Sequence, residues 1–187
     1  MAKPWDLRMV VDAVGSDSCR VRPRRLTPDG SHAHLLVRGG PLVVFVLDPT
    51  ALTDLASAWA AAHVRGAHQL PIELPVRPAR HGAGAAYPLA QVVVEGRQRW
   101  NVRPPQAGQP FLLVSAGWVN VRVHDRVALD TQVRAWAEAS AYGGRIFGRN
   151  RTPSFDHLLE QAQIAAVRDA AARDDHRLDR RGVPPER

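Results

Sequence analysis

One cysteine, one lysine and two methionines stand in a chain of 187 residues. A lone thiol, Cys19, excludes an intrachain disulfide and any zinc site built from cysteines, and it accords with a reducing compartment. No apolar run reaches the roughly 18 residues that a membrane helix needs. Met1-Ala2-Lys3-Pro4-Trp5-Asp6 lacks the apolar segment of a secretory leader. The expectation is a soluble, cytoplasmic protein with no membrane partner. Chemistry-bearing motifs are equally scarce. Ser31, Ser115 and Ser140 lie in no nucleophile elbow, and Gly82-Ala83-Gly84 neither follows a predicted strand nor opens a helix, as a phosphate loop must. His32 and His34 share a face, but no Asp, Glu or Cys completes a metal set. No catalytic residue, metal or cofactor is therefore expected, and an enzyme is the least favoured class.

What is present is charge of one kind and a repeat. All but one of the 25 basic residues are arginine, against 18 acidic ones, for a formal net charge of +7. Alongside so much Ala, Val and Gly, that bias reads as the codon usage expected of a GC-rich bacterial genome, so net charge alone is discounted as a binding trait. A shift of 77 residues aligns 35–62 with 112–139 without a gap, and 13 of the 28 columns are identical, Asp48/Asp125 and Trp59/Trp136 among them. Upstream, Val21-Arg22-Pro23 matches Val102-Arg103-Pro104 at a shift of 81.

Each unit reads as four strands and a helix. Alternation predicts strands at 7–14 and 18–25, a hairpin turning at Gly15-Ser16-Asp17, and again at 89–95 and 98–103, turning at Glu95-Gly96. Further strands are predicted at 33–38 and 41–47, and at 111–115 and 118–124. Asp48 and Asp125 then fall at helix N-caps, with Pro49 suited to the first helical position. Leu52, Leu55, Ala56, Trp59 and His63 form one apolar stripe, and Leu129, Val133, Trp136, Ala137 and Ser140 the other. Neither stripe is buried by a lone helix, so each helix is expected to pack on a sheet. The organisation is a unit at 5–66, a linker at 67–86 with an edge strand at 72–76, and a second unit at 87–143. A basic loop and a helix from 152 to about 173 follow within 144–175, then a disordered tail at 176–187. The fold class is α+β: duplicated ββββα units, antiparallel sheets packed on helices, a pseudo-twofold relation within one globular domain, and a C-terminal helix.

The second strand of each unit carries the most suggestive pattern. A period of two sets Arg20, Arg22 and Arg24 on one face, and likewise Arg97, Arg99, Asn101 and Arg103, with Val21, Trp100 and Val102 turned to the core. Such a face can track phosphates and release counterions; a solvated strand face with edge-protecting arginines is the plainer reading. With Arg20-Val21-Arg22, Arg97-Gln98-Arg99 and the strand-to-helix junctions at Asp48 and Asp125, residues 5–143 resemble the PUR repeats and the related Whirly-type single-stranded nucleic-acid binders. The resemblance implies that two repeats intertwine into one domain, that the sheets bind single-stranded DNA or RNA, and that aromatics split or stack bases. The expected function is non-enzymatic binding of single-stranded nucleic acid through Arg20, Arg22, Arg24, Arg97, Arg99 and Arg103, supported by Asn101 and Arg122. The alternative is a protein–protein scaffold or regulatory adaptor whose arginines meet an acidic partner. The stripe Phe155, Leu158, Leu159, Ala162, Ala165 and Ala166 then serves either a homodimer through the 152–173 helix or the chain's own core.

Overall fold

In a computed structural model, residues 9–15, 19–25, 33–39, 42–74, 90–148 and 151–181 are described. Strands β1 (Met9–Ala13), β2 (Cys19–Arg25), β3 (Ala33–Gly39) and β4 (Leu42–Val46) precede helix α1 (Pro49–Gly66). Strands β5 (Ala90–Val94), β6 (Trp100–Arg103), β7 (Leu112–Ala116) and β8 (Val119–Val123) precede α2 (Arg126–Ile146), and α3 (Phe155–Arg181) follows. The protein is α+β, with two four-stranded, mostly antiparallel sheets and three helices. The ββββα order in each half is compatible with the duplicated unit read from the sequence.

The hairpins expected at 15–17 and 95–96 do not form. β1 leaves its own unit and pairs in parallel with β8, from Met9 opposite Val119 to Ala13 opposite Val123. β5 pairs in parallel with β4, from Leu42 opposite Ala90 to Val46 opposite Val94. One sheet, here sheet A, therefore runs β1-β8-β7-β6, and the other, sheet B, runs β2-β3-β4-β5. Each holds three strands of one half and the first strand of the other. Gly15 and Gly96, at φ 65° and 67°, turn the chain at the end of each exchanged strand. Both glycine N–H groups are held by the other half's helix cap: Asp125 Oδ2 accepts from Gly15 at 2.8 Å, and Asp48 Oδ2 from Gly96 at 2.5 Å.

The same carboxylates cap the helices. Asp48 Oδ1 accepts the N–H groups of Thr50 and Ala51 at 2.7 and 3.0 Å, and Asp125 Oδ1 that of Ala128 at 2.7 Å. The first donors of α2 go instead to the inter-unit segment: Arg126 N–H to the Pro71 carbonyl and Val127 N–H to that of Ile72. No strand forms over 70–74, which removes residues 72–74 of the expected 72–76 strand; 75–76 lie outside the described residues.

The helices are exchanged too. α1 packs on β6 and β7 of sheet A, α2 on β2 and β3 of sheet B, and the two helices pack on each other. Trp59 and Trp136 are both buried in the common core. Gly143 admits Leu52 between the helices, since a Cβ there would collide with Leu52 Cδ2. α1 is covered by sheet A, α2 and α3 together, which explains why its alanines at 51, 58, 60, 61 and 62 are buried outside the single stripe that its spacing defines. α3 lies along α1, with Phe155 and Leu158 buried and Arg65 paired to Asp169 at 2.7 Å. It runs to Arg181, past the boundary at 176 where a disordered tail was expected; its Ala- and Arg-rich sequence has the propensity to continue. Residues 182–187 lie outside the described residues.

Candidate functional site

The inner faces of the two sheets line one small cavity of about 30 Å³, among Val44, Val92, Val114, Trp59 and Trp136, so their outer faces look away from each other. β2 and β6, the two arginine strands, are edge strands of different sheets. The structure thus divides the expected cationic residues into two groups rather than one face. Arg20, Arg22 and Arg24 are exposed along the edge of sheet B, and Arg97, Arg99, Asn101 and Arg103 along that of sheet A. β2 runs unbroken through Pro23, which an edge strand tolerates because one side of it needs no ladder donor. Arg97 and Arg99 precede the start of β6; the Arg99 carbonyl accepts the Gly117 N–H at 2.9 Å, which holds Arg99 beside the β7–β8 turn, and the Gln98 N–H between them goes to Asp54 Oδ2 of α1 at 2.7 Å.

The register builds the outer face of sheet A row by row. Asn101, Ser115, Asn120 and Val10 form one row; Arg103, Leu113, Arg122 and Asp12 form the next. Ser115 Oγ donates to Asn120 Oδ1 at 2.6 Å. The Arg122 guanidinium carbon stands 5.2 Å from the centre of the Phe111 ring, and that ring is 5.6 Å from the His124 ring. His124 Nε2 lies 2.7 Å from Asp12 Oδ1, which ties the exchanged strand β1 to the end of β8 by side chains as well as backbone. Arg122 is half-buried and held over an aromatic ring, while Arg103 of β6 is exposed.

Two tryptophans mark one end of this sheet. Trp100 has the parity of the buried Val102, yet it is 37% exposed at the opening of a short edge strand. The expectation of a core Trp100 is corrected accordingly. Trp118, 43% exposed, sits in the two-residue turn between β7 and β8 after Gly117 at φ 57°. Register places both at the same end: Trp100 opposite Ala116, and Ala116 opposite Val119. Trp118 and Phe111 were missed in the sequence. The Gly117-Trp118 pair between two apolar alternations was the signal that an aromatic side chain occupies a turn.

Other expectations meet plainer fates. Cys19 is half-buried against the core, with its thiol 3.0 Å from the Arg38 carbonyl. His34 is buried on the outer parity of sheet B, 5.8 Å from the Phe45 ring, and His32 lies outside the described residues. Among the described residues no three His, Cys, Asp or Glu side chains gather as a metal set would require. Among them too, no helix is long and apolar enough to cross a membrane. The inner part of the 155–166 stripe is covered by α1 of the same chain, whereas Ile164 and Val167 face outward. Comparison of the chain with protein-family models, curated proteins and solved structures finds no match.

Proposed function

We propose that this protein binds single-stranded nucleic acid without catalysis, through the outer face and tryptophan-bearing end of sheet A. The observation that carries the reading is the placing of two partly exposed tryptophans, Trp118 in the β7–β8 turn and Trp100 on the inner parity where β6 opens, at the end of the sheet where Arg99 stands. Cations that track the backbone beside aromatic faces on which bases stack are the two parts such a site needs. Arg103, Asn101 and the ring-stacked Arg122 extend the track across the sheet. The exposed faces of tryptophan suit unpaired bases, which a duplex withholds. The proposal includes the PUR- and Whirly-like character of the fold, the cytoplasmic setting and a pseudo-twofold relation of the halves. The reciprocal strand pairing and the matched Asp–Gly bonds support that symmetry.

The test is fluorescence anisotropy with labelled single-stranded DNA, single-stranded RNA and duplex over a salt series. Single strands are expected to bind more tightly than duplex. Trp118→Ala should weaken binding by about 1–3 kcal/mol, the worth of one stacked base. Replacing Arg97, Arg99 and Arg103 by Ala should flatten the salt slope by about 2, since each phosphate that an arginine neutralises adds about 0.7 to it. Binding that is absent, or indifferent to both variants, rejects the reading.

A further inference from the structure

The two sheets offer equivalent outer positions and fill them with opposite chemistry. On sheet B the register sets Arg22, Leu36, Phe45 and Val93 in one transverse row. At the repeat shifts of 77 and 81 the matching row on sheet A is Arg103, Leu113, Arg122 and Asp12. The fold therefore accommodates a charged pair where sheet B presents an aromatic ring and a valine. Phe45 and Val93 are not required there by the architecture. Val93 is 60% exposed, Leu36 and Phe45 are half-buried, and Arg20, Arg22 and Arg24 run exposed along the adjoining edge. Among the described residues no acidic side chain stands on the outer positions of these four strands.

We infer that the outer face of sheet B docks an acidic amphipathic segment of a partner protein. The apolar side chains of that segment would seat on Leu36, Phe45 and Val93, while its carboxylates meet Arg20, Arg22 and Arg24. Charge selects this occupant. A second copy of the chain would bring the same three arginines against themselves, and like charges facing across an interface oppose association. A nucleic-acid strand would find no exposed aromatic face to stack on among the described outer positions of sheet B, since Phe45 is half-buried and His34 is buried. A carboxylate-bearing peptide satisfies both halves of the surface, with bidentate guanidinium contacts at the rim and apolar contact at the centre. The inference stands on sheet B alone and does not depend on the nucleic-acid reading of sheet A.

The experiment is selection of a displayed library of random peptides, roughly 16 residues long to span a four-stranded sheet as an extended or helical segment, on the full chain, followed by anisotropy with the recovered peptides in synthetic form. Recovered sequences are expected to be enriched in both Asp or Glu and large apolar residues. Val93→Asp and Phe45→Arg, which copy chemistry that the other half already carries, should each lower their affinity at least tenfold. Replacement of Arg20, Arg22 and Arg24 by Ala, at exposed positions that do not threaten folding, should do the same. The proposal is overturned by an empty selection, by peptides without acidic enrichment, or by affinities that none of the variants changes. It is equally overturned if Val93→Asp abolishes single-strand binding, halves a doubled mass in light scattering, or abolishes binding to phosphatidylglycerol vesicles. Those outcomes would assign the face to nucleic acid, a second copy or a lipid surface.

Discussion

Each repeat aspartate divides its carboxylate between two backbones, one oxygen capping its own helix and the other holding the glycine that ends the other half's first strand. Asp125 is fully buried and Asp48 only half so, which separates their worth. Asp125→Ala removes charged hydrogen bonds to Gly15 and Ala128 and leaves buried N–H groups unmet, at an expected cost of about 2–4 kcal/mol. Asp48→Ala, with water able to replace it, should cost about 1–2 kcal/mol. Urea unfolding of the two variants checks the order, and a larger loss at Asp48 would contradict it. Gln132 makes the opposite case. Its side chain is 7% exposed, places its amide over Gly39 beside the central cavity, and occupies the position that Leu55 takes in the first half. Gln132→Leu should raise stability by about 1 kcal/mol, because apolar contact with the surrounding core replaces a largely buried amide. A thermal melt decides this, and an unchanged or lowered midpoint would refute it.

The third helix is anchored at its start by Phe155 and Leu158 and exposes Ile164 and Val167 further along. Leu158→Ala should cost about 2–4 kcal/mol through the cavity it leaves against α1. Val167→Ser, on the exposed side, should stay within about 0.5 kcal/mol. Equal effects in chemical unfolding would mean that the helix does not lie as described. Strands, helices and both caps were legible in the sequence, because alternation, apolar spacing and an aspartate before a helical run are local signals. Pairing partners were not. A period of two states which face of β1 is buried and is silent on whether β2 or β8 lies beside it, and Gly15 serves a crossing as well as it serves a hairpin. The site was legible to the same depth. Parity put Arg20, Arg22, Arg24, Arg99, Asn101 and Arg103 on outward faces. Their division between two sheets, and the exposure of Trp100 at a strand end, depended on topology that parity does not carry.

Since each sheet and each helix joins the two halves, the halves have no separate cores. A protease site placed at 81–84 and cut should leave a nicked protein that elutes as one particle and unfolds in one transition. Separation of the fragments in size exclusion without denaturant would contradict the exchanged topology. The same exchange sets an order on synthesis. When α1 leaves the ribosome, the β6–β7 surface it must cover is still roughly 50 residues from being made, an interval of about 3–10 s at ordinary elongation rates. Over that interval the newborn chain shows an apolar helix with no sheet beneath it and an open β4 edge waiting for β5. On a crowded polysome a neighbouring nascent chain offers the same strand, so chaperone protection during translation is built into the need that this topology creates.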